Sequence, residues 1–289
     1  MKEQFSESLL LCPVCKSRLI KDAPNRMYRC DNKHTYDIAK EGYVNLLMSN
    51  QKKSKNPGDS KEMVLARADF LNRGFYGPLS EQINELIAKC LPKDRADPIS
   101  IMDIGCGEGY YLTNLKKSND KKNIKAKYYG IDVSKEAIKY AGKTDSECTW
   151  MVGNNFHIPV GDESVDCMFS VFSPIEMEEC KRVLSDNGFF IRVLPRPNHL
   201  IQLRNIIYSE VSFKESEVYQ METDDIDYIK ECNMTFDMML EKEEILSLLK
   251  MTPHYWRTSA EKRQALDLYE SLSVTVDMRI GIFQKSINS

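Results

Sequence analysis

The segment that most constrains the fold is a glycine-rich loop at the end of a short apolar run. The run 99–104 leads into Gly-Cys-Gly-Glu-Gly at positions 105–109, and a helical pattern begins at Tyr110. Glycine allows a tight turn from a strand into a helix and lets a ligand lie against bare backbone. The loop therefore predicts an α/β fold with a cofactor bound where this strand ends.

Apolar runs of strand length recur along the chain and alternate with helical or turn segments. Such alternation predicts strand–helix–strand units and a parallel sheet. Two late runs have the length and composition of strands, and we expect them to join the sheet edge as antiparallel strands. The seven predicted strands cover 99–104, 128–132, 148–152, 165–171, 188–193, 234–240 and 273–284. The prediction is a Rossmann-like, mostly parallel, seven-stranded sheet.

Three details of the loop favour S-adenosylmethionine as the cofactor. Asp103 precedes the first glycine, Gly105 and Gly107 follow a G-x-G-x-G spacing, and a second acid, Asp132, ends the next predicted strand. An acid at that place can accept hydrogen bonds from both ribose hydroxyls. Nicotinamide cofactors use the same contact, so Asp132 alone does not discriminate between the two. Asn154, after the third strand, is a candidate for contacting the adenine edge.

Four residues near the start have the spacing of a metal site. Cys12, Cys15, Cys30 and His34 form the pattern C-x2-C-x14-C-x3-H. Two ligands on one tight turn can face the same ion, and fourteen residues suffice for a hairpin that brings the second pair opposite. Three thiolates and one imidazole fill a tetrahedral shell, so the pattern predicts structural Zn²⁺. The alternative is an accidental cysteine cluster in a reduced protein.

The chain divides into three predicted regions. Residues 1–48 form the zinc-binding module, residues 49–92 a linker with helices, and residues 93–289 the cofactor-binding domain. Within the linker region, Asp59 and Glu62 resemble a capping box for a helix that ends near Asn72. A second helix, with one apolar stripe, is expected after Pro78.

The composition excludes a membrane protein, and the charge is distributed unevenly along the chain. No run of 18 apolar residues occurs among the 289 residues, and residues 1–8 lack an apolar stretch of signal-peptide length. We therefore expect a cytoplasmic protein. The formal net charge is −3, but residues 1–75 carry +5. A polyanion is thus expected to approach the N-terminal side.

Longer stretches of the sequence resemble the RlmA family of 23S rRNA guanine-N1-methyltransferases. The resemblance covers nearly the whole chain and is most specific where the zinc pattern is followed by Ala-Lys-Glu-Gly-Tyr-Val-Asn-Leu-Leu. The similar segments are the Cys/His pattern, 37–47, 57–60, 103–111, 132–135, 195–199, 251–253 and 256–257.

The resemblance implies a class I S-adenosylmethionine-dependent methyltransferase with an N-terminal zinc module that helps to recognise rRNA. The methyl group is expected on N1 of one guanine in a 23S rRNA hairpin near the peptide exit tunnel, with S-adenosylhomocysteine as the second product. By similarity, Cys12, Cys15, Cys30 and His34 hold the ion. The residues implied along the methyl donor are Tyr76, Tyr111, Leu112 and His199. The family is often dimeric, so a homodimer is also expected. Which guanine is modified, and whether in free rRNA or an assembling large subunit, stays open.

Candidates for the chemical step lie at the end of the fourth strand and in a later loop. Ser173 and Pro174 form a polar-Pro segment of the kind found in methyltransferases that act on planar nitrogen, although Ser-Pro is also an ordinary turn. His199 follows Pro-Arg-Pro-Asn and is a candidate for contacting the donor or the base. The sequence identifies no general base.

Two other functions remain possible at this point. One is a small-molecule methyltransferase with a structural zinc module, which would have a closed apolar pocket and no dependence on RNA. The other is a non-catalytic zinc protein that binds RNA. The basic N-terminal part argues against the first, and the intact glycine loop argues against the second.

Overall fold

Two β-sheets organise the fold in the computed structural model, which describes residues 5–52, 54, 57–92, 95, 97–208, 210–211 and 226–286. The smaller sheet is antiparallel, with its four strands in sequence order. Its strands are β1 (Phe5–Leu11), β2 (Arg18–Asp22), β3 (Met27–Arg29) and β4 (Thr35–Asp37). The turn from β1 to β2 contains the first cysteine pair, and the turn from β3 to β4 contains Cys30 and His34.

The larger sheet has eight strands in the order β11-β12-β10-β9-β6-β7-β8-β5. Strands β5 to β10 pair in parallel, whereas β11 and β12 are antiparallel additions at one edge. The strands are β5 (Tyr43–Asn45), β6 (Ile99–Ile104), β7 (Ala126–Asp132), β8 (Thr149–Val152), β9 (Val165–Val171), β10 (Leu184–Pro195), β11 (Ile226–Glu241) and β12 (Ser271–Lys285). Because the chain leaves β6 towards β7 on one side and returns to β9 on the other, a crevice is expected at the carboxyl end of β6.

All seven predicted strands are present, and the predicted mostly parallel arrangement is confirmed. The sheet differs from the prediction by one further strand, β5, which comes from the segment assigned to the zinc-binding module. Tyr43 to Asn45 pair with Trp150 to Val152 of β8. Three residues are too few to show a hydrophobic period, so only the pairing with β8 identifies this strand.

The helices pack mainly against one face of the larger sheet. Their bounds are α1 (Lys61–Asn72), α2 (Gly77–Cys90), α3 (Tyr110–Lys121), α4 (Lys135–Thr144), α5 (Met177–Val183), α6 (Ile201–Ile207), α7 (Lys242–Lys250), α8 (His254–Arg257) and α9 (Ala260–Ala265). Helices α1 and α2 confirm the two predicted helices. The predicted cap is wrong by one residue, because the Ser60 hydroxyl accepts the Met63 amide at 3.3 Å. Asp59 is thereby left to pair with Arg67.

The opposite face of the larger sheet is covered by α5 and by the zinc-binding module. Leu10 and Leu19 of the module share one buried cluster with Met102 and Ile131 of the sheet. Backbone hydrogen bonds join the two parts where β1 runs beside residues 159–161, including one from the Leu11 amide at 2.8 Å. Residues 153–164, which connect β8 to β9, contain no helix, and β1 runs beside them. Within the described residues, no helix is long and apolar enough to cross a membrane.

Candidate functional site

The glycine loop turns from β6 into α3 through conformations that glycine adopts readily. Gly105 and Gly109 have φ angles of +72° and +88°, in the left-handed region. Close contacts also exclude a side chain at both positions. A Cβ on Gly105 would lie 1.9 Å from Ser173 Oγ, and one on Gly109 would lie 2.6 Å from the Trp150 ring. The loop therefore keeps bare backbone at the carboxyl end of β6, as predicted.

Asp132 fixes the shape of this loop from the end of β7. One carboxylate oxygen accepts the Gly107 amide at 3.0 Å, and the other accepts the Ser134 amide at 2.7 Å. Burial raises the pKa of Asp132, and these two amide hydrogen bonds partly oppose the rise. The carboxylate therefore holds two strand ends together.

Two more carboxyl groups are buried beside the loop. Asp103 is 1% exposed, and its Oδ2 has no hydrogen-bond partner among the described residues. Burial, with the negative charges of Asp132 and Glu108, raises the pKa of Asp103 well above its ordinary value. Burial also raises the pKa of Glu108 to about 7. A buried acceptor without a donor, among like charges, suits a ligand that brings a cation and N–H groups, as the sulfonium and ammonium of S-adenosylmethionine do.

Helix α1 brings an arginine to the loop that the sequence analysis did not single out. Arg67 pairs with Asp59 and donates to the Met251 carbonyl at 2.9 Å. Its Nη1 lies 3.5 Å from the point that a Cβ on Gly107 would occupy. The sequence could have indicated Arg67, because it is a charged residue four positions after Met63 on an otherwise apolar face of α1.

The structure brings the other implied donor residues to the same end of the sheet. Tyr76, 2% exposed, precedes α2, and Leu112 is fully buried in the first turn of α3. Burial raises the pKa of Tyr111 well above its ordinary value, and the nearby Tyr76 hydroxyl contributes to the rise. These three residues therefore line the region where the glycine loop enters α3.

The two asparagines after β8 have different surroundings. Asn154 uses its side-chain oxygen in a local turn, where it accepts the Phe156 amide at 3.0 Å. Asn155, which the sequence analysis passed over, reaches the loop: its Nδ2 donates to Ser173 Oγ at 3.1 Å, and its buried Oδ1 has no partner among the described residues. Adjacent identical residues offer no sequence signal for which of them turns inwards. The adenine contact of Asn154 stays a prediction.

The candidates for the chemical step surround one aromatic ring at the end of β9. Phe172 lies between Val171 and the Ser173–Pro174 pair, and the His199 ring stacks on it with centroids 5.8 Å apart. Burial lowers the pKa of His199 to about 3, and the positive charges of His254 and Arg204 add to the effect. His199 is therefore neutral near pH 7, with its Nδ1 3.5 Å from the Asp277 amide.

Asp277 of β12 organises the loop that carries His199. Its carboxylate, 2% exposed, accepts from Arg196 Nη1 and from Thr235 Oγ1, both at 2.9 Å, and from the Asn198 amide at 3.3 Å. Sequence reasoning missed Asp277 because its partners come from distant segments. The structure thus supports His199 from a strand that the sequence placed only at the sheet edge.

The four predicted metal ligands meet between the two turns of the small sheet. Their ligand atoms all lie within 4.8 Å of one another. Cys15 and Cys30 sulfurs are 3.6 Å apart, and His34 Nδ1 lies 3.4 Å from Cys30 Sγ and 3.6 Å from Cys12 Sγ. Four N and S donors at such separations fit the tetrahedral shell of Zn²⁺, with metal–sulfur bonds of about 2.3 Å.

The surroundings of this cluster support an ionised metal site. The Tyr36 hydroxyl lies 3.0 Å from Cys12 Sγ, as outer-shell donors to a thiolate do. Lys16 and Lys33, one in each ligand turn, have φ angles of 60° and 64°. A bound Zn²⁺ would fix both of these left-handed turns through one ion and so offset their strain.

The fold and these two sites define an S-adenosylmethionine-dependent methyltransferase with a structural zinc ribbon. Residues 10–55 match the zinc-ribbon family described as RlmA, N-terminal, and residues 96–254 match the methyltransferase domain family. A Bacillus subtilis protein named putative 23S rRNA (guanine-N(1)-)-methyltransferase YxjB is 31% identical over 99% of this chain and 100% of its own length. The chain belongs to this family of 23S rRNA (guanine-N1)-methyltransferases.

Other similar proteins carry related names. The 23S rRNA (guanine(748)-N(1))-methyltransferase of Streptomyces fradiae is 31% identical over 67% of this chain and 66% of its own length. Among solved structures, the plantazolicin methyltransferase BpumL in complex with SAH covers 78% of this chain and 95% of its own, with 17% identity and a TM-score of 0.44. The Bacillus YcgJ protein covers 72% and 100%, with 18% identity and a TM-score of 0.45.

Metal analysis tests the zinc cluster. We expect the purified protein to contain one Zn²⁺ per chain and Cys30→Ser to lose most of it, because a hydroxyl is a much poorer zinc ligand than a thiolate. Cys232→Ser, on β11, is the matched control and should keep full occupancy. Equal zinc content in both variants, measured by mass spectrometry of the metal, would contradict the assignment.

Replacing Asp103 tests the donor site, because binding and stability should change in opposite directions. The pKa of Asp103 is raised in the folded state, so folding free energy is lost as pH rises from its ordinary value of 3.8 towards the folded value. Asp103→Asn removes this loss, so at pH 8 the variant should unfold at a higher urea concentration than the wild type. At pH 4 the difference between their unfolding midpoints should be smaller. Its affinity for S-adenosylhomocysteine should fall about tenfold or more, since a charge-assisted hydrogen bond is lost.

The exposed residue Asp120, at the end of α3, provides the control. Asp120→Asn should leave both the unfolding midpoint and the affinity measured by calorimetry unchanged. Weakened binding together with lowered stability in Asp103→Asn would indicate a purely structural carboxylate and refute the assignment.

Proposed function

We propose that this protein transfers a methyl group from S-adenosylmethionine to N1 of one guanine in a 23S rRNA hairpin near the peptide exit tunnel. The observation that carries the proposal is the joining, in one buried core, of a zinc ribbon of the RlmA type to the sheet of a methyltransferase domain. Similarity to the named rRNA methyltransferase along 99% of the chain supports the same substrate class.

The donor is held at the carboxyl end of β6 and β7. Gly105 and Gly107 offer bare backbone, and Asp132 lies where a ribose is recognised in this fold class. The Asp103 oxygen that has no partner within the described part of the chain accepts an N–H group of the donor. Tyr76, Tyr111 and Leu112 close the apolar side of this site. S-adenosylmethionine supplies a sulfonium methyl group that is already a strong electrophile. The protein therefore contributes mainly orientation and exclusion of water.

The base is received beside Ser173, Pro174 and His199. Ser173 Oγ accepts from Asn155 and can still donate its own proton to the guanine carbonyl, which stabilises the form of the base that has lost its N1 proton. A neutral His199 with a pKa of about 3 is too weak a base to remove that proton, so it positions groups by hydrogen bonding. The proton leaves to solvent as the N1–methyl bond forms.

RNA recognition falls to the zinc ribbon and the surface around the crevice. Lys16 and Lys33 are exposed at the two ligand turns, where they can meet phosphates. The target guanine must be unpaired or turned out of its helix to reach Ser173, and hairpin loops provide such bases. The rRNA substrate, free or in an assembling large subunit, implies a cytoplasmic enzyme. A homodimer, the arrangement common in the resembling family, would present two ribbons.

Methyl transfer to RNA tests this function directly. We expect labelled methyl from S-adenosylmethionine to enter unmodified 23S rRNA, and reverse transcription to stop beside a single guanine, because an N1-methyl group blocks base pairing. Asp132→Ala, which loses the loop anchor, should abolish both signals. Protein that binds zinc and S-adenosylhomocysteine but labels no RNA would refute the proposal and favour a small-molecule substrate.

A further inference from the structure

Phe172 stands at the junction between the donor crevice and the space left for the substrate. It follows β9 directly, and its neighbour Ser173 packs against the glycine loop at Gly105. Asp132 ends β7 and Asn154 follows β8, and both strands lie on the other side of β6 from β9. Phe172 therefore borders the loop on the side away from the expected adenosine site.

The backbone of Phe172 is unusual for a residue of its size. Its φ angle is +60°, a region in which bulky side chains are rare, and its amide is held by the Val193 carbonyl at 3.1 Å. Glycine or asparagine would make the same turn with less strain. Residues with a strained backbone of this kind cluster at ligand-binding positions, where the surrounding structure maintains the strain.

Two rings contact Phe172, yet much of the residue stays exposed. His199 stacks against it with an interplanar angle of 20°, and the buried Tyr76 stands nearly perpendicular with centroids 6.4 Å apart. The residue nevertheless remains 42% exposed. Core packing does not explain a residue that combines a strained backbone with a partly exposed ring, because the surrounding structure maintains such strain chiefly at functional positions.

We propose that Phe172 is a positioning residue on which the target guanine stacks after leaving its RNA helix, a role that rests on the function proposed above. A base turned out of a helix loses its stacking partners, and an open aromatic face replaces them. His199, stacked behind the ring, keeps that face in place. Contact with Phe172 would hold the plane of the base next to Ser173 and the donor crevice.

Three substitutions separate stacking from simple packing. We expect Phe172→Ala and Phe172→Leu to lower kcat/KM for 23S rRNA methylation by about 10- to 100-fold, because neither offers a π face. Phe172→Trp should stay within about threefold of the wild type. A residue that merely fills space would show the reverse order, with Leu tolerated and Trp harmful. Affinity for S-adenosylhomocysteine, measured by calorimetry, should be unchanged in all three.

The controls distinguish this proposal from the function on which it rests. Wild-type protein that binds S-adenosylhomocysteine but modifies no guanine in 23S rRNA would overturn both. A wild-type protein that modifies one guanine, with Phe172→Leu equally active, would overturn the stacking role alone. Loss of S-adenosylhomocysteine binding in Phe172→Leu would also overturn it, because it would place the ring in the donor site.

Discussion

The structure depends on an apolar surface that the zinc ribbon and the large sheet bury together. Residues of β1 to β3 lie in the same cluster as residues of β6 to β10, and β1 pairs with the chain beside Val160. The ribbon alone is too small to bury a core that offsets its conformational entropy. Metal ligation fixes its two turns, and contact with the sheet supplies the remaining apolar burial. The ion therefore stabilises one face of the methyltransferase sheet as well as the ribbon.

This arrangement connects recognition with chemistry. The ribbon pairs with residues 159–161, which lie in the segment between β8 and β9, and that segment also carries Asn155 to the glycine loop. The surface proposed to bind RNA is thus joined to the crevice by short, hydrogen-bonded stretches. The crevice itself is acidic and buried at Asp103, Glu108 and Asp132, which favours a cationic donor.

The sequence predicted much of this arrangement, for reasons that are local. The hydrophobic periodicity predicted the strands and helices. The spacing of the glycines predicted the cofactor loop, and the spacing of the cysteines and the histidine predicted the zinc ligands. What escaped prediction depends on contacts between distant segments. Strand β5 is defined only by its pairing with β8. Asp277 has a role only because its partners come from β11 and the 196–199 loop. Ser60 caps α1, whereas Asp59 pairs with Arg67. From the sequence alone, Phe172 is predicted to be an ordinary apolar residue at a strand end. Only its φ angle and its exposed fraction distinguish it.

Hydrogen–deuterium exchange on the full-length protein, with zinc bound and after chelation, tests the shared core most directly. If the ribbon and the sheet share one core, the amides of β5, β8, Val160 and Gly161 lose protection together with those of the ribbon strands when zinc is removed. Loss of protection confined to β1 to β4, with β5 and β8 unchanged, would show that the sheet does not depend on the ribbon and would contradict the account.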